Sequence, residues 1–142
     1  MKEAQLTAAG IVIDVIEGNN LNKVFQKYSQ ENKINPKDIS QIKDLVFGTL
    51  RSYGKTKFVI NKLVKRMPSN TLILSLLHVA LFQLISNRSN SYTVVDQAVS
   101  ASNMINKRHT KFVNGVLRSF LREKVSILEK AEKIDEAKYS YP

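Results

Sequence analysis

The run Leu72-Ile73-Leu74-Ser75-Leu76-Leu77-His78-Val79-Ala80-Leu81-Phe82-Gln83-Leu84-Ile85 constrains the fold more than any other part of this chain. As a helix it is apolar on nearly every side, so it belongs in an interior rather than on a surface. Its 14 residues fall short of the ~20 needed to span a bilayer. Such a helix has to be wrapped by other elements of the same chain. Within it, His78 reads as a hydrogen-bonded core residue rather than a ligand.

The rest of the sequence supplies helices for that wrapping. Residues Ala4 to Glu17 read as a first helix with Leu6, Ala9, Ile13 and Ile16 on its core side, ended by Gly18-Asn19-Asn20. Leu21, Val24, Phe25 and Tyr28 stand at i, i+3, i+4 and i+7 of a second, followed by a polar loop from Ser29 to Asn35. Asn35, Pro36 and Asp38 suit the start of a third helix. It carries Ile39, Ile42, Leu45, Val46, Thr49, Leu50 and Tyr53 inward until Gly54 punctuates.

A fourth helix from Lys55 to Arg66 buries Val59, Ile60, Leu63 and Val64 and displays Lys55, Lys57, Lys62, Lys65 and Arg66. Phe58 among these cations reads as an aromatic anchor on a neighbouring helix. Met67-Pro68 breaks the chain before Asn70 or Thr71 opens the Leu-rich fifth helix. Asn87 to Tyr92 reads as a loop. Thr93-Val94-Val95-Asp96 resembles a capping box opening a sixth helix, which buries Val94, Val95, Ala98, Val99 and Ala101. The turn Asn106-Lys107-Arg108-His109-Thr110 leads to a seventh. No segment has the alternation of a strand, so the expected architecture is an all-α bundle of about seven helices.

The seventh helix has two opposed faces. At ~100° per residue, Phe112, Val113, Val116, Leu117 and Phe120 gather on one side, and Lys111, Arg118 and Arg122 fall within about 40° of one another on the other. Arg118 and Arg122 stand one turn apart, and Lys111 extends the line by two turns, a spacing able to follow a phosphate backbone. The bland alternative is a solvated face on which Arg122 pairs with Glu123 or Glu129 and Arg118 caps a neighbouring helix. Gly115 beside the stripe costs helix stability, and close packing of a neighbouring helix is the expected compensation, close approach of such a phosphate backbone the alternative. After Arg122 the apolar pattern fades. Glu123 to Lys138 reads as an exposed helix before a tail Tyr139-Ser140-Tyr141-Pro142.

Charge points to the class of partner. The chain has 22 Lys+Arg against 12 Asp+Glu, a net charge of +10, which favours a polyanion. Residues 1–40 are balanced, whereas residues 41–70 hold seven basic side chains against one acidic. With no cysteine, disulfides and thiol chemistry are excluded. Two isolated histidines do not suggest a metal site, and no hydrophobic leader precedes the first helix, so a cytoplasmic protein without a membrane partner is expected.

Several stretches together resemble the NusB-like family of all-helical RNA-binding domains. Leu45-Val46-Phe47-Gly48-Thr49-Leu50-Arg51 is similar to its "L-V-x-G-x-L-R" element, Ala80-Leu81-Phe82-Gln83-Leu84 to its fifth-helix pattern, and Val95-Asp96-Gln97-Ala98-Val99 to its "N/S-E-A-V" element. Phe112-Val113-Asn114-Gly115-Val116-Leu117-Arg118 is close to its strongest motif, which includes Asn114 and Gly115. The resemblance runs from about Ala4 to Glu123.

Two branches of that family compete. One is the free-standing transcription antitermination factor, which pairs with a ribosomal protein on leader RNA. The other is the N-terminal domain of the Sun/RsmB-type 16S rRNA cytosine-5 methyltransferase. Arg118-Ser119-Phe120-Leu121-Arg122-Glu123, the fourth helix and the tail Ala137-Lys138-Tyr139-Ser140-Tyr141-Pro142 resemble the second, the tail with Tyr141 where His is usual. The antitermination branch carries an arginine-rich start, whereas Met1-Lys2-Glu3-Ala4-Gln5 offers one Lys beside a Glu.

The methyltransferase resemblance implies a NusB-like domain over residues 1–126 and a linker over 127–142 toward a catalytic domain. That catalytic domain is where S-adenosylmethionine would be held. Cytosine-5 methylation uses a Cys nucleophile in this family, and this chain has none, nor a glycine-rich cofactor turn, so it is expected to carry no cofactor and to be no enzyme by itself. The expected RNA contacts are Lys111, Arg118, Arg122, Arg51, Lys55, Lys62, Lys65 and Arg66, with small-subunit rRNA as partner and its own methyltransferase domain as a second. A helical protein-docking module with no RNA partner is the third reading.

Overall fold

A computed structural model describes residues 2–31, 34–87 and 89–139, with side-chain surroundings up to residue 133. Seven helices follow in order: α1 (Lys2–Ile16), α2 (Leu21–Gln30), α3 (Ile39–Arg51), α4 (Tyr53–Leu63), α5 (Thr71–Ser86), α6 (Ser91–Ile105) and α7 (Thr110–Tyr139). Single 3-10 turns, Pro36–Asp38 and Lys107–His109, lead into α3 and α7. There is no strand among the described residues, and the all-α bundle expected from the periodicities is the observed architecture. No helix there is long and apolar enough to cross a membrane.

Helix α5 is the axis of the fold. Every residue from Ser75 to Leu84 is buried. Its Ile73, Leu77, Leu81 and Leu84 join Val59, Ile60, Val94, Val113, Leu117 and Phe120 of α4, α6 and α7. Its Leu76, Val79 and Phe82 face the other way, into a core with Ala8, Ile11 and Val12 of α1 and Ile42, Leu45 and Val46 of α3. An all-round apolar helix can rotate or slide at little cost, so its polar residues set its register. The Ser75 hydroxyl donates to the Ala9 carbonyl at 2.7 Å. The Gln83 side-chain oxygen accepts from Gln5 at 2.8 Å. His78 Nδ1 lies 2.6 Å from the Thr56 hydroxyl, and its ring stacks on Tyr53 with centroids 4.0 Å apart. His78 is thus the bonded core residue its sequence context implied.

Burial, reinforced by the Lys57 charge, lowers the His78 pKa to about 4 from the ordinary 6.5. The unfolded chain therefore binds a proton that the folded chain refuses between those values. Stability from this group is complete above pH 6.5 and is lost as pH falls toward 4. The linkage relation gives a loss of about 2 kcal/mol between pH 7 and pH 5. Urea midpoints at the two pH values measure it, and the His78 ring resonances should still report a neutral imidazole at pH 5. A ring already protonated at pH 6 would contradict the assignment.

Local details depart from the sequence-based expectations in instructive ways. α1 turns a different face inward: Ala4, Gln5, Ala8, Val12 and Ile11 are buried with Ala9, while Ile16 is 49% exposed and Leu6 and Ile13 are half-buried. Small residues let α1 lie close against α5, and that close approach outweighs covering the larger Ile16. Gly54 does not end α3. Ser52 alone separates α3 from α4, and Gly54 sits inside α4. Asn35 caps the 3-10 turn rather than α3 itself, accepting from the Lys37 amide. Thr93 is not the cap of α6, because Asn90 accepts from the amides of Tyr92 and Thr93.

α4 ends at Leu63, so Lys65 and Arg66 lie in the segment beyond it, with Val64 still buried. Phe58 packs against the core as anticipated, with the Lys62 ammonium 5.6 Å from its ring centroid. α7 runs without a break past residue 126 and is not merely an exposed extension. Ile127 and Ala131 are buried, and the Lys124 ammonium donates to Leu84 O and Asn87 Oδ1, closing the C-terminal end of α5. The tail residues Ser140, Tyr141 and Pro142, like Asn32, Lys33 and Arg88 of the expected loops, lie outside the described residues.

Candidate nucleic-acid interface

The exposed ridge of α7 is formed by Lys111, Arg118 and Arg122, all solvent-facing. Val113, Val116, Leu117 and Phe120 anchor the opposite side in the core, with Phe112 half-buried beside them. The amphipathic pattern therefore fixes which side chains stand free. Neither arginine pairs with an acid among the described residues. Arg118 Nε donates to Asn114 Oδ1 at 2.8 Å, and Arg122 Nη2 donates to Ser119 Oγ at 2.9 Å. Both partners are neutral and lie on the same helix, so each guanidinium is oriented without being engaged in an ion pair among the described residues. Asn114 acts here as a positioning residue for Arg118.

The ridge has a depression on each side. Toward α4 lies a groove of about 460 Å³ lined by Leu63, Val64, Lys65, Arg66, Lys111, Phe112, Gly115, Val116 and Ser119. Three cations line it and, among the described residues, no acid does. The basic residues of the middle segment and of α7 are thus brought together by α4 ending alongside α7. Toward α6 lies a smaller cleft of about 130 Å³, lined by Tyr92, Val95, Asp96, Val99, Asn114, Arg118 and Leu121.

Not all of the expected residues gather here. Arg51 is exposed in the last turn of α3, and Lys55 and Lys62 stand one above the other along α4. None of the three lines the groove. Tyr92 is not among the residues to which the sequence pointed, and Asp96 entered only through a capping-box pattern and a family motif. Tyr92 falls outside the apolar stripe of α6, which was the available signal.

Gly115 corrects the packing expectation. A Cβ built there meets no heavy atom within 4 Å, so no neighbouring helix requires a glycine at this place. What Gly115 does is keep the wall of the basic groove low. Gly115→Ala should accordingly raise stability by about 0.5–1 kcal/mol, the helix-propensity difference at an open site. A thermal melt reads it, and a fall in melting temperature would show a close contact after all.

The chain matches the NusB family over residues 2–122. It is 32% identical over 130 residues to ribosomal RNA small subunit methyltransferase B of Pasteurella multocida, covering 89% of this chain and 29% of that protein. Against the protein of the same name from Shigella boydii it is 31% identical over 139 residues, covering 95% and 32%. A probable ribosomal RNA small subunit methyltransferase B from Coxiella burnetii is 32% identical over 128 residues, covering 86% and 30%. The chain therefore spans about a third of the length of these relatives. Its seven-helix architecture and the matched span, which takes in the Gly48 and Asn114-Gly115 motifs, place the chain in the NusB family.

Proposed function

We propose that this chain is the RNA-binding, non-catalytic part of an S-adenosylmethionine-dependent 16S rRNA cytosine-5 methyltransferase, and that it holds small-subunit rRNA for a separate catalytic domain. The observation that carries the reading is the meeting of Lys65, Arg66 and Lys111 at an acid-free groove beside the Arg118–Arg122 ridge. Phosphates bind such a surface because each contact releases condensed counterions, and a rigid helix spaces the contacts without a folding cost. The low wall at Gly115 leaves room for a sugar–phosphate backbone. The names of the relatives supply the substrate class, small-subunit ribosomal RNA. The methyl-transfer chemistry is assigned elsewhere, since the chain has no Cys to add to the cytosine ring.

The test is a titration of a 16S rRNA fragment at several salt concentrations. With 4 to 6 phosphate contacts, the slope of log K against log[salt] should be roughly −3 to −5. A flat dependence would favour a protein-docking module instead.

A further inference from the structure

The two depressions flanking α7 differ in chemistry, and the difference suggests different ligands. Both have apolar walls, but the α4 side carries three cations and its one aromatic ring, Phe112, is half-buried. The α6 side pairs a single arginine with a carboxylate and the exposed ring of Tyr92. A carboxylate beside a phosphate subsite would repel it, so the cleft is unsuited to more backbone. A flat heteroaromatic group with amino hydrogens fits it better.

We propose that the cleft between α6 and α7 takes one unstacked nucleobase of the bound RNA, stacked on Tyr92 and read by Asp96 through a base amino group such as cytosine N4. This deepens the RNA reading of the α7 ridge and rests on it. Tyr92 is 72% exposed, an unusual state for so large a ring at the mouth of a cleft. The Arg118 guanidinium lies 5.7 Å from its centroid and is itself held by Asn114, so the ring is braced by an oriented cation while most of its surface stays exposed. Val99 and Leu121 line the cleft with apolar surface that water solvates poorly. Asp96 is exposed at the rim, where its carboxylate can accept from an amino group but not from the carbonyl that uracil presents at the same edge. Aromatic stacking gives affinity for any base, and the carboxylate sets the preference.

Binding of the whole chain to a fluorescent cytidine decamer, a uridine decamer and an abasic ribose-phosphate decamer tests this. The parent should bind the cytidine strand at least about 5-fold more tightly than the uridine strand. Tyr92→Ala should weaken cytidine binding by about 5- to 150-fold, leave abasic binding alone and keep the salt slope. Tyr92→Phe should restore the affinity. Asp96→Asn, whose amide can donate to uracil, should reduce or invert the preference. If Tyr92→Ala, folded by circular dichroism, binds the cytidine strand as the parent does, the base site is overturned while the phosphate reading stands. If the parent binds all three strands without salt dependence, the RNA reading itself falls and the base site with it.

Discussion

Replacing Arg118 and Arg122 together by glutamate is expected to leave the helical circular dichroism and the melting temperature close to those of the parent, and to weaken rRNA binding by about 60-fold or more at 0.1 M salt. The fold should tolerate the change because both side chains are exposed, their hydrogen bonds go to Asn114 and Ser119 within their own helix, and the one contact beyond it is Arg118 over the exposed Tyr92 ring. Surface substitutions of this kind usually shift stability by no more than about 0.5 kcal/mol. The binding loss follows from counterion release. Each phosphate contact contributes about 0.9 to the salt slope, hence about 0.9 of a decade in affinity between 1 M and 0.1 M salt. Two lost contacts give about 1.8 decades before any repulsion from the new carboxylates, and the slope should become shallower by about 2. A correctly folded double variant with the parent's affinity would remove the ridge from the interface. The candidate surface would then be the outer side of α4, with Lys55 and Lys62.

Lys65, Arg66 and Lys111 form a separate arm of the same test. Charge reversal at Arg66 alone should reduce the slope by about 1. Arg51, which does not line the groove, should change it little. Comparing the two distinguishes a localised interface from a diffuse attraction by net charge.

How much of this could be read from the chain depended on whether one kind of information decided the matter. α5 was legible because being apolar on all sides has only one stable outcome for a helix too short to span a bilayer. The ridge of α7 was legible because five large apolar residues left no doubt about its buried side. α1 was not, since Ala4, Ala8 and Ala9 offer little contrast against Leu6 or Ile13, and the choice of face was made by fit against α5. At α6 the capping-box pattern pointed to Thr93, whereas Asn90, read as loop, caps the helix, and Asn is the stronger cap. The groove lay beyond periodicity altogether. Lys65 and Lys111 are far apart in sequence, and their adjacency comes from packing α4 against α7 through Val59, Ile60, Val113 and Leu117. The place of Tyr92 outside the apolar stripe of α6 marks it as exposed, but gives no sign of which side chains stand beside it.

The two glycines of the family motifs should respond to alanine in opposite directions, and Gly48 should give the larger effect. Gly48 is buried in α3, where an added Cβ would fall inside the ring of Phe82. That ring comes from α5, is only 7% exposed, and belongs to the core shared with α1 and α3. It cannot swing into solvent without abandoning that core. Gly48→Ala therefore forces either the ring off its rotamer or α3 away from α5, and overpacking of this type costs about 1–3 kcal/mol, occasionally more. The better helix propensity of alanine returns up to about 1 kcal/mol, so a net loss of about 2 kcal/mol is expected. For a domain of this size that lowers the melting temperature by roughly 5–10 °C. The contact is specific, which makes it separable from a general intolerance of the site. Combined with Phe82→Leu, the Gly48→Ala change should cost less than the two single changes added together, with a coupling of at least about 1 kcal/mol. Strict additivity, or a Gly48→Ala melting curve that overlays the parent's, would mean that the close approach of α3 to α5 is not what this glycine provides.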